Sequence, residues 1–249
     1  MKIPENGVDS FAMEGVADHP YDIPNQRLAY GRKEPGPQVW FWRSVGHSQN
    51  IFFIESFIDE LAAAAKQDPY EYRRSLLGKQ PRYKGVLELA AQKAGWGSPL
   101  PAGVFRGIAV APGFGSYVVE VAELSIGADG TPRVHRVVAA VDCGMTVNPL
   151  TIERQIEGAI VYGLSAALYG RISIKDGRVE QGNFNDYPVL RMNEMPKVEV
   201  HIVASTEKPG GIGEPGTPPI APAVANALFA ATGKRLRSLP FDTAQLKKA

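Results

Sequence analysis

The apolar residues Ile51, Phe52, Ile54, Phe57, Ile58 and Leu61 recur at three- and four-residue steps, with Glu55, Asp59 and Glu60 on the other side. That spacing predicts an amphipathic helix over 49–66. Asp68-Pro69 then has the form of an N-cap followed by proline in the first helical turn, and Gly78 closes the short helix after Leu77. A third helix is expected over 84–93, stopping at Gly95. Beyond it the period changes to two. The runs 104–110, 117–125 and 134–141 are rich in β-branched residues, and 127–130 supplies a hairpin turn between the last two, so an antiparallel sheet is expected.

Asn148-Pro149 repeats the cap-and-proline signal and opens a helix reaching to about 169, apolar on nearly every side over 156–168. A helix without a polar face is expected to be buried. Gly158 and Gly163 within it cost about 1 kcal/mol each relative to alanine, which fits a close approach by another backbone or a ligand. Short strands follow over 171–174 and from 178, joined through Lys175-Asp176-Gly177, and a further strand over 198–204. A helix from 218 or 219 to 232 ends at Gly233. Helices at both ends around antiparallel or mixed sheets make the fold class α+β. The first 24 residues are expected to form an extended segment and 25–249 the folded part, with a candidate subdivision near 98–103.

Composition then narrows the function classes. With 27 Lys and Arg against 26 Asp and Glu, the net charge of +1 carries no signature for nucleic acid or an anionic membrane surface. At 44% hydrophobic and 21% charged the chain has material for a core and lacks the profile of a disordered one. The 20 prolines and 26 glycines favour strands and turns over a helical bundle. A lone cysteine, Cys143, excludes an intrachain disulfide and a Cys-rich zinc or iron–sulfur site built by this chain alone. The N-terminal residues lack the cationic start and apolar stretch of a signal peptide. The uncharged stretch 158–170 is shorter than the about 20 apolar residues of a bilayer span, so no transmembrane segment is expected and the compartment stays open.

Three segments hold candidate chemistry. The run from Lys208 to Pro219, Lys-Pro-Gly-Gly-Ile-Gly-Glu-Pro-Gly-Thr-Pro-Pro, fixes one carboxylate, Glu214, on a restrained loop ahead of a helix, where it can serve as a general base. The alternative is a solvated Glu on a proline-rich loop capped by Thr217. Asp142-Cys-Gly, Asn148-Pro149 and Gln155-Ile-Glu-Gly run from a strand end into the apolar helix, whose inward Gln155 can offer a donor and an acceptor to a heterocycle. Otherwise Gln155 satisfies a neighbouring backbone group, and Asp142 bonds turn amides. Cys143 reads as a small buried residue rather than a nucleophile. In Trp40-Phe-Trp-Arg-Ser-Val-Gly-His-Ser-Gln49, Arg43 beside a glycine turn can hold an anionic or planar ligand, unless the aromatics are core and Arg43 pairs with a carboxylate. His47 fits a hydrogen-bonded surface or cap role, because the four histidines never stand at metal-ligand spacing.

Together and in this order, Trp-Arg-Ser-Val-Gly-His-Ser-Gln, Glu-Ser-Phe-Ile-Asp-Glu-Leu-Ala, Asp-Cys-Gly, Asn-Pro, Gln-Ile-Glu-Gly and Gly-Ile-Gly-Glu-Pro-Gly-Thr-Pro-Pro resemble one family. It is the C-terminal part of the molybdopterin-binding subunit of the xanthine dehydrogenase and aldehyde oxidase family, nearest in look to the isoquinoline 1-oxidoreductase beta subunit. The resemblance runs from about Met13 to Pro240. It implies a molybdenum hydroxylase attacking an electron-poor carbon of an aldehyde or N-heteroaromatic ring, with Glu214 as base. By motif match Trp42, Arg43, Gln155 and Gly213 lie against the cofactor, and no protein side chain ligates the metal. The cofactor implied is molybdopterin in its cytosine dinucleotide form, with molybdenum. Family segments that complete the pterin pocket have no counterpart here. The resemblance therefore implies a partner polypeptide carrying them and a [2Fe-2S] subunit for the electrons. The competing expectation is a truncated, non-catalytic remnant or a structural interaction module of the same fold.

Overall fold

The structure is a computed structural model that describes residues 9–33 and 36–247. Its helices are α1 (Ser10–Met13), α2 (His47–Ala64), α3 (Pro69–Leu76), α4 (Pro81–Ala94), α5 (Pro149–Tyr169) and α6 (Ile220–Thr232). The strands are β1 (Phe105–Gly113), β2 (Ser116–Ile126), β3 (Pro132–Asp142), the two-residue β4 (Ile174–Lys175) and β5 (Arg178–Val179), and β6 (Lys197–Ile202). Asp68 and Asn148 cap α3 and α5 as their side chains accept amide protons from Tyr70, Glu71 and Thr151, so both cap signals hold.

The main sheet runs β1-β2-β3-β6, antiparallel through β3 and then parallel between β3 and β6. Strand alternation sorts its side chains onto two faces. Ala109, Val118, Ala122, Val137 and Ala139 face α5 and α6, while Ile108, Val119, Val121, Val138 and Ala140 face Val86, Leu87 and Ala90 of α4. Helix α2 contributes Phe52 to the first core and Ile58 to the second. The fold is α+β, as expected. The turn over 98–103 carries the chain from α4 to the sheet on which α4 packs.

Several expectations change. Of the N-terminal segment, 1–8 lie outside the described residues, and the remainder is not simply extended: Ser10–Met13 is a helical turn and Tyr21 is buried, its hydroxyl donating to Glu55 at 2.6 Å. Helix α5 is buried on one stripe only, Ile152, Ile156, Ala159, Ile160, Gly163, Leu164 and Ala167, because α6 and β6 cover a single side of it. Gly158 lies outside that stripe with nothing within 4 Å of where a side chain would begin. Gly163 does meet another backbone: an added Cβ would stand 2.7 Å from the Thr217 carbonyl oxygen.

Behind α2 lies a charged cluster that the sequence did not announce. Arg73 is fully buried, donating through Nε to Glu55 at 2.9 Å and through Nη1 to Asp59 at 3.3 Å. Burial opposes its charge, yet the neighbouring Glu55, Tyr21 and Asp59 hold its pKa above the ordinary value. Glu55 also accepts the Val110 amide at 2.9 Å, and Arg235 reaches Asp59 at 2.7 Å, so the cluster ties α2 to α3, β1 and the chain after α6. Glu120, between Ala109 and Ala139 in the sheet, is buried with neither carboxyl oxygen bonded, and burial pushes its pKa well up.

Candidate functional site

The three candidate segments meet. Before α2, the chain turns sharply over 42–46, with Val45 donating its amide to the Trp42 carbonyl at 2.9 Å. Ser44 (φ 75°) and Val45 (φ 51°) both adopt left-handed backbone, which a β-branched residue rarely does. This turn directs Arg43 and Ser44 at the loop over 208–219. Arg43 donates through Nε to the Gly213 carbonyl at 2.9 Å and through Nη2 to the same oxygen. Nη2 also reaches the Gln155 side-chain oxygen at 3.4 Å. Ser44 donates its amide to Glu214 Oε1 at 3.0 Å and its hydroxyl to the Glu214 carbonyl at 2.7 Å.

The loop itself is pinned from behind. The Gly210 amide donates to the Cys143 carbonyl at 2.8 Å, and the Gly211 amide to that of Phe114 at the β1–β2 tip at 2.7 Å. Thr217 donates its amide to the Glu214 carbonyl at 3.0 Å, closing the turn that carries the acid. Glu214 is thus half-buried with one oxygen engaged, not the freely solvated alternative. Thr217 does not cap α6 either: its hydroxyl is buried without a partner, and Pro219 holds the cap position.

Gln155 is exposed, a correction to the inward placement, because it lies beside the buried stripe of α5 rather than on it. The aromatics are not core: Trp40 is 75% exposed, and Trp42 stacks on Tyr162 of α5 with ring centroids 4.8 Å apart. Arg43 pairs with backbone and Gln155, and its guanidinium lies 5.7 Å from the Tyr162 ring centre. Gly213 is exposed, with nothing within 4 Å of the place a side chain would occupy. Glu214, Arg43, Gln155 and Gly213 therefore share one open surface, flanked by Trp42 and Tyr162.

The remaining candidates take structural roles. Asp142 accepts the Gly144 amide at 3.0 Å and is held bidentately by Arg82 at 2.7 and 2.6 Å, which keeps its carboxyl below the usual range. Arg82 was missed because an arginine one residue after a helix-opening proline reads as solvated. Cys143 is buried, and desolvation raises its thiol pKa. Among the described residues no three His, Cys, Asp or Glu side chains could hold a metal ion, and no helix is long and apolar enough to cross a membrane.

Comparison with known proteins gives a family match, curated relatives and solved structures. The molybdopterin cofactor-binding domain family matches residues 80–196. The chain is 34% identical over 235 residues to the isoquinoline 1-oxidoreductase subunit beta of Brevundimonas diminuta, covering 92% of this chain and 30% of that protein. It is 32% identical over 261 residues to the membrane-bound aldehyde dehydrogenase [pyrroloquinoline-quinone] of Gluconacetobacter polyoxogenes, covering 96% of this chain and 34% of that one. The chain thus spans about a third of the length of these curated relatives. Among solved structures, quinoline 2-oxidoreductase from Pseudomonas putida 86 shares the fold with a TM-score of 0.67 at 12% identity, over 76% of this chain and 50% of that one.

Proposed function

This chain belongs to the xanthine dehydrogenase family of molybdopterin-binding subunits, and from that premise we propose that it forms one part of a molybdenum hydroxylase with Glu214 as its base. The substrate class is an aldehyde or an N-heteroaromatic compound, oxidised at an electron-poor carbon with oxygen from water. One observation carries the reading. The Ser44 amide fixes Glu214 Oε1 while Arg43 grips the carbonyl of the preceding residue, so a carboxylate and a guanidinium are held side by side on an open surface.

The donor set suits the cofactor. Arg43 offers a planar, permanently charged fork to an anionic or heterocyclic group, and Gln155 offers a carboxamide beside it. The vacant space over Gly213 lets a ring system approach the backbone closely. Trp42, stacked on Tyr162, walls one side. Arg43, Gln155, Gly213 and Trp42 would hold molybdopterin there, in its cytosine dinucleotide form. The bound molybdenum would supply the two-electron oxidation.

Within the chain, the work of Glu214 is proton transfer. Its Oε1 is committed to Ser44, so Oε2 is the atom that takes the proton water must lose before its oxygen can join carbon. The Ser44 and Thr217 bonds to the same residue's backbone restrict its motion, so little entropy is lost on orienting it.

The rest of the pocket is assigned to a partner polypeptide. Trp40, Phe41, Val147 and Leu150, on the two segments that flank the cluster, are exposed apolar residues suited to such docking. Electrons are assigned to [2Fe-2S] clusters on a further subunit, since Cys143 is the single cysteine of this chain and is buried. Turnover of the assembled enzyme in water labelled with heavy oxygen tests the reading: the product is expected to carry the label. A product labelled from heavy dioxygen instead would contradict it.

A further inference from the structure

The N-terminal segment lies directly behind the turn that holds Glu214. Asn50 donates through its side-chain amide to the Ala12 and Glu14 carbonyls at 2.8 and 2.7 Å, and the Gly46 amide donates to Glu14 Oε2 at 3.2 Å. Gly46 is obligatory there, because an added Cβ would stand 1.9 Å from the Phe11 carbonyl oxygen. The ring of His47, the first residue of α2, fills the junction. Its Nδ1 lies 3.5 Å from Glu14 Oε2 and its Nε2 lies 3.5 Å from Asp18 Oδ2. Those distances are long for hydrogen bonds, so the imidazole is held by packing between the two carboxylates. Only 5% of His47 is exposed, whereas the two carboxylates keep access to water.

The other side of the ring faces the site. Phe114, at the β1–β2 tip that pins Gly211, has its ring centre 5.7 Å from that of His47. Gly113 has both Pro215 and His47 within 4 Å of its missing side chain. Ser44, Val45 and Phe114 are non-glycine residues with left-handed backbone; the His47 amide donates to the Ser44 carbonyl at 3.1 Å, and the Phe114 ring lies against the imidazole. Such conformations persist only where the surroundings impose them.

We propose that His47 is a positioning residue for Glu214. Wedged between Glu14 and Asp18 of the N-terminal segment, it holds the strained Ser44–Val45 turn so that the Ser44 amide meets the carboxylate. The functional weight of this inference rests on the reading of Glu214 as base; the geometry does not. His47 touches neither the substrate nor the cofactor surface and acts through Ser44.

Amide hydrogen exchange and pH titration of the 249-residue chain, followed by NMR, test this without molybdenum. In the parent chain the Ser44 amide should be protected, and its shift should follow a carboxylate titration that Glu214→Gln abolishes. In His47→Phe, Ser44 exchange should accelerate by about tenfold or more and that titration should vanish, while the Val110 amide, held by Glu55, keeps its protection. His47→Gln, whose polar side chain can still lie between Glu14 and Asp18, should restore Ser44 protection to within about threefold. Unchanged exchange and titration at Ser44 in His47→Phe would overturn the proposal. Equal acceleration at Ser44 and Val110, not rescued by His47→Gln, would overturn it as well, since the effect would then be global. Unaltered exchange would leave the assignment of Glu214 standing, and an active Glu214→Gln enzyme would leave the exchange result standing.

Discussion

Glu214→Gln in the assembled enzyme is expected to lower turnover by at least about a hundredfold, the usual lower reach of a lost general base. The substitution suits the question because it keeps the shape. A glutamine carbonyl oxygen can still accept the Ser44 amide now bonded to Oε1, and the bonds to the residue 214 backbone from the Ser44 hydroxyl and the Thr217 amide are untouched. Only the capacity to take a proton is lost. Molybdenum content should match the parent enzyme, because Arg43, Gln155 and Gly213 are unchanged. Activity within about tenfold of the parent at equal occupancy would remove Glu214 from the role of base.

Arg73→Met is expected to destabilise the fold by about 3–5 kcal/mol, the cost of leaving a buried charge without its partner. Removal of the guanidinium strands Glu55, 1% exposed, with its remaining bonds from the Tyr21 hydroxyl and the Val110 amide. It also frees Asp59, whose other cation is Arg235, and the link between α2 and α3 goes with it. Denaturant midpoints of parent and variant measure the difference. Arg74→Met, one residue away and paired with Glu88 and Glu71 in water, should leave the midpoint unchanged. A near-neutral Arg73→Met would contradict the reading of the cluster as the brace behind α2.

The contrast between these neighbours shows what the sequence could convey. Arg73 and Arg74 sit side by side on a short polar helix, and periodicity alone makes both solvated; only the packing of α2 against α3 buries one of them. Glu120 was more accessible to inference, since Val118, Ala122 and Leu124 at two-residue steps place position 120 on an inward face. Helix caps at Asp68 and Asn148 were legible because a cap is a local event. The parallel pairing of β6 with β3 was not, because alternation tells which side of a strand is apolar but not which strand lies beside it.

The site divides in the same way. Glycine and proline spacing marked the loop of Glu214, and the aromatic–arginine turn marked Arg43, each from its own segment. That Arg43 would grip the Gly213 carbonyl and Ser44 the Glu214 carboxylate depends on residues 170 positions apart meeting, which is a property of the fold. The aromatic run 40–42 and the later turns of α5 misled in one respect: the run was open to a core reading and 156–168 was expected to be buried on nearly every side, whereas Trp40 and Tyr162 are exposed. His47 was invisible as a positioning group, because its carboxylate neighbours lie about thirty residues upstream on a segment with no periodicity of its own.

The central claim is that this chain contributes the base and part of the cofactor wall to a composite molybdenum site. The most direct test is molybdenum counted per copy of the chain, first in the native complex that carries it and then after the chain is separated under mild conditions. About one molybdenum per chain in the complex and almost none on the separated chain is the expected result, in keeping with an open surface and not a closed pocket. A native, active complex without molybdenum, or a separated chain that keeps a near-stoichiometric load, would contradict it.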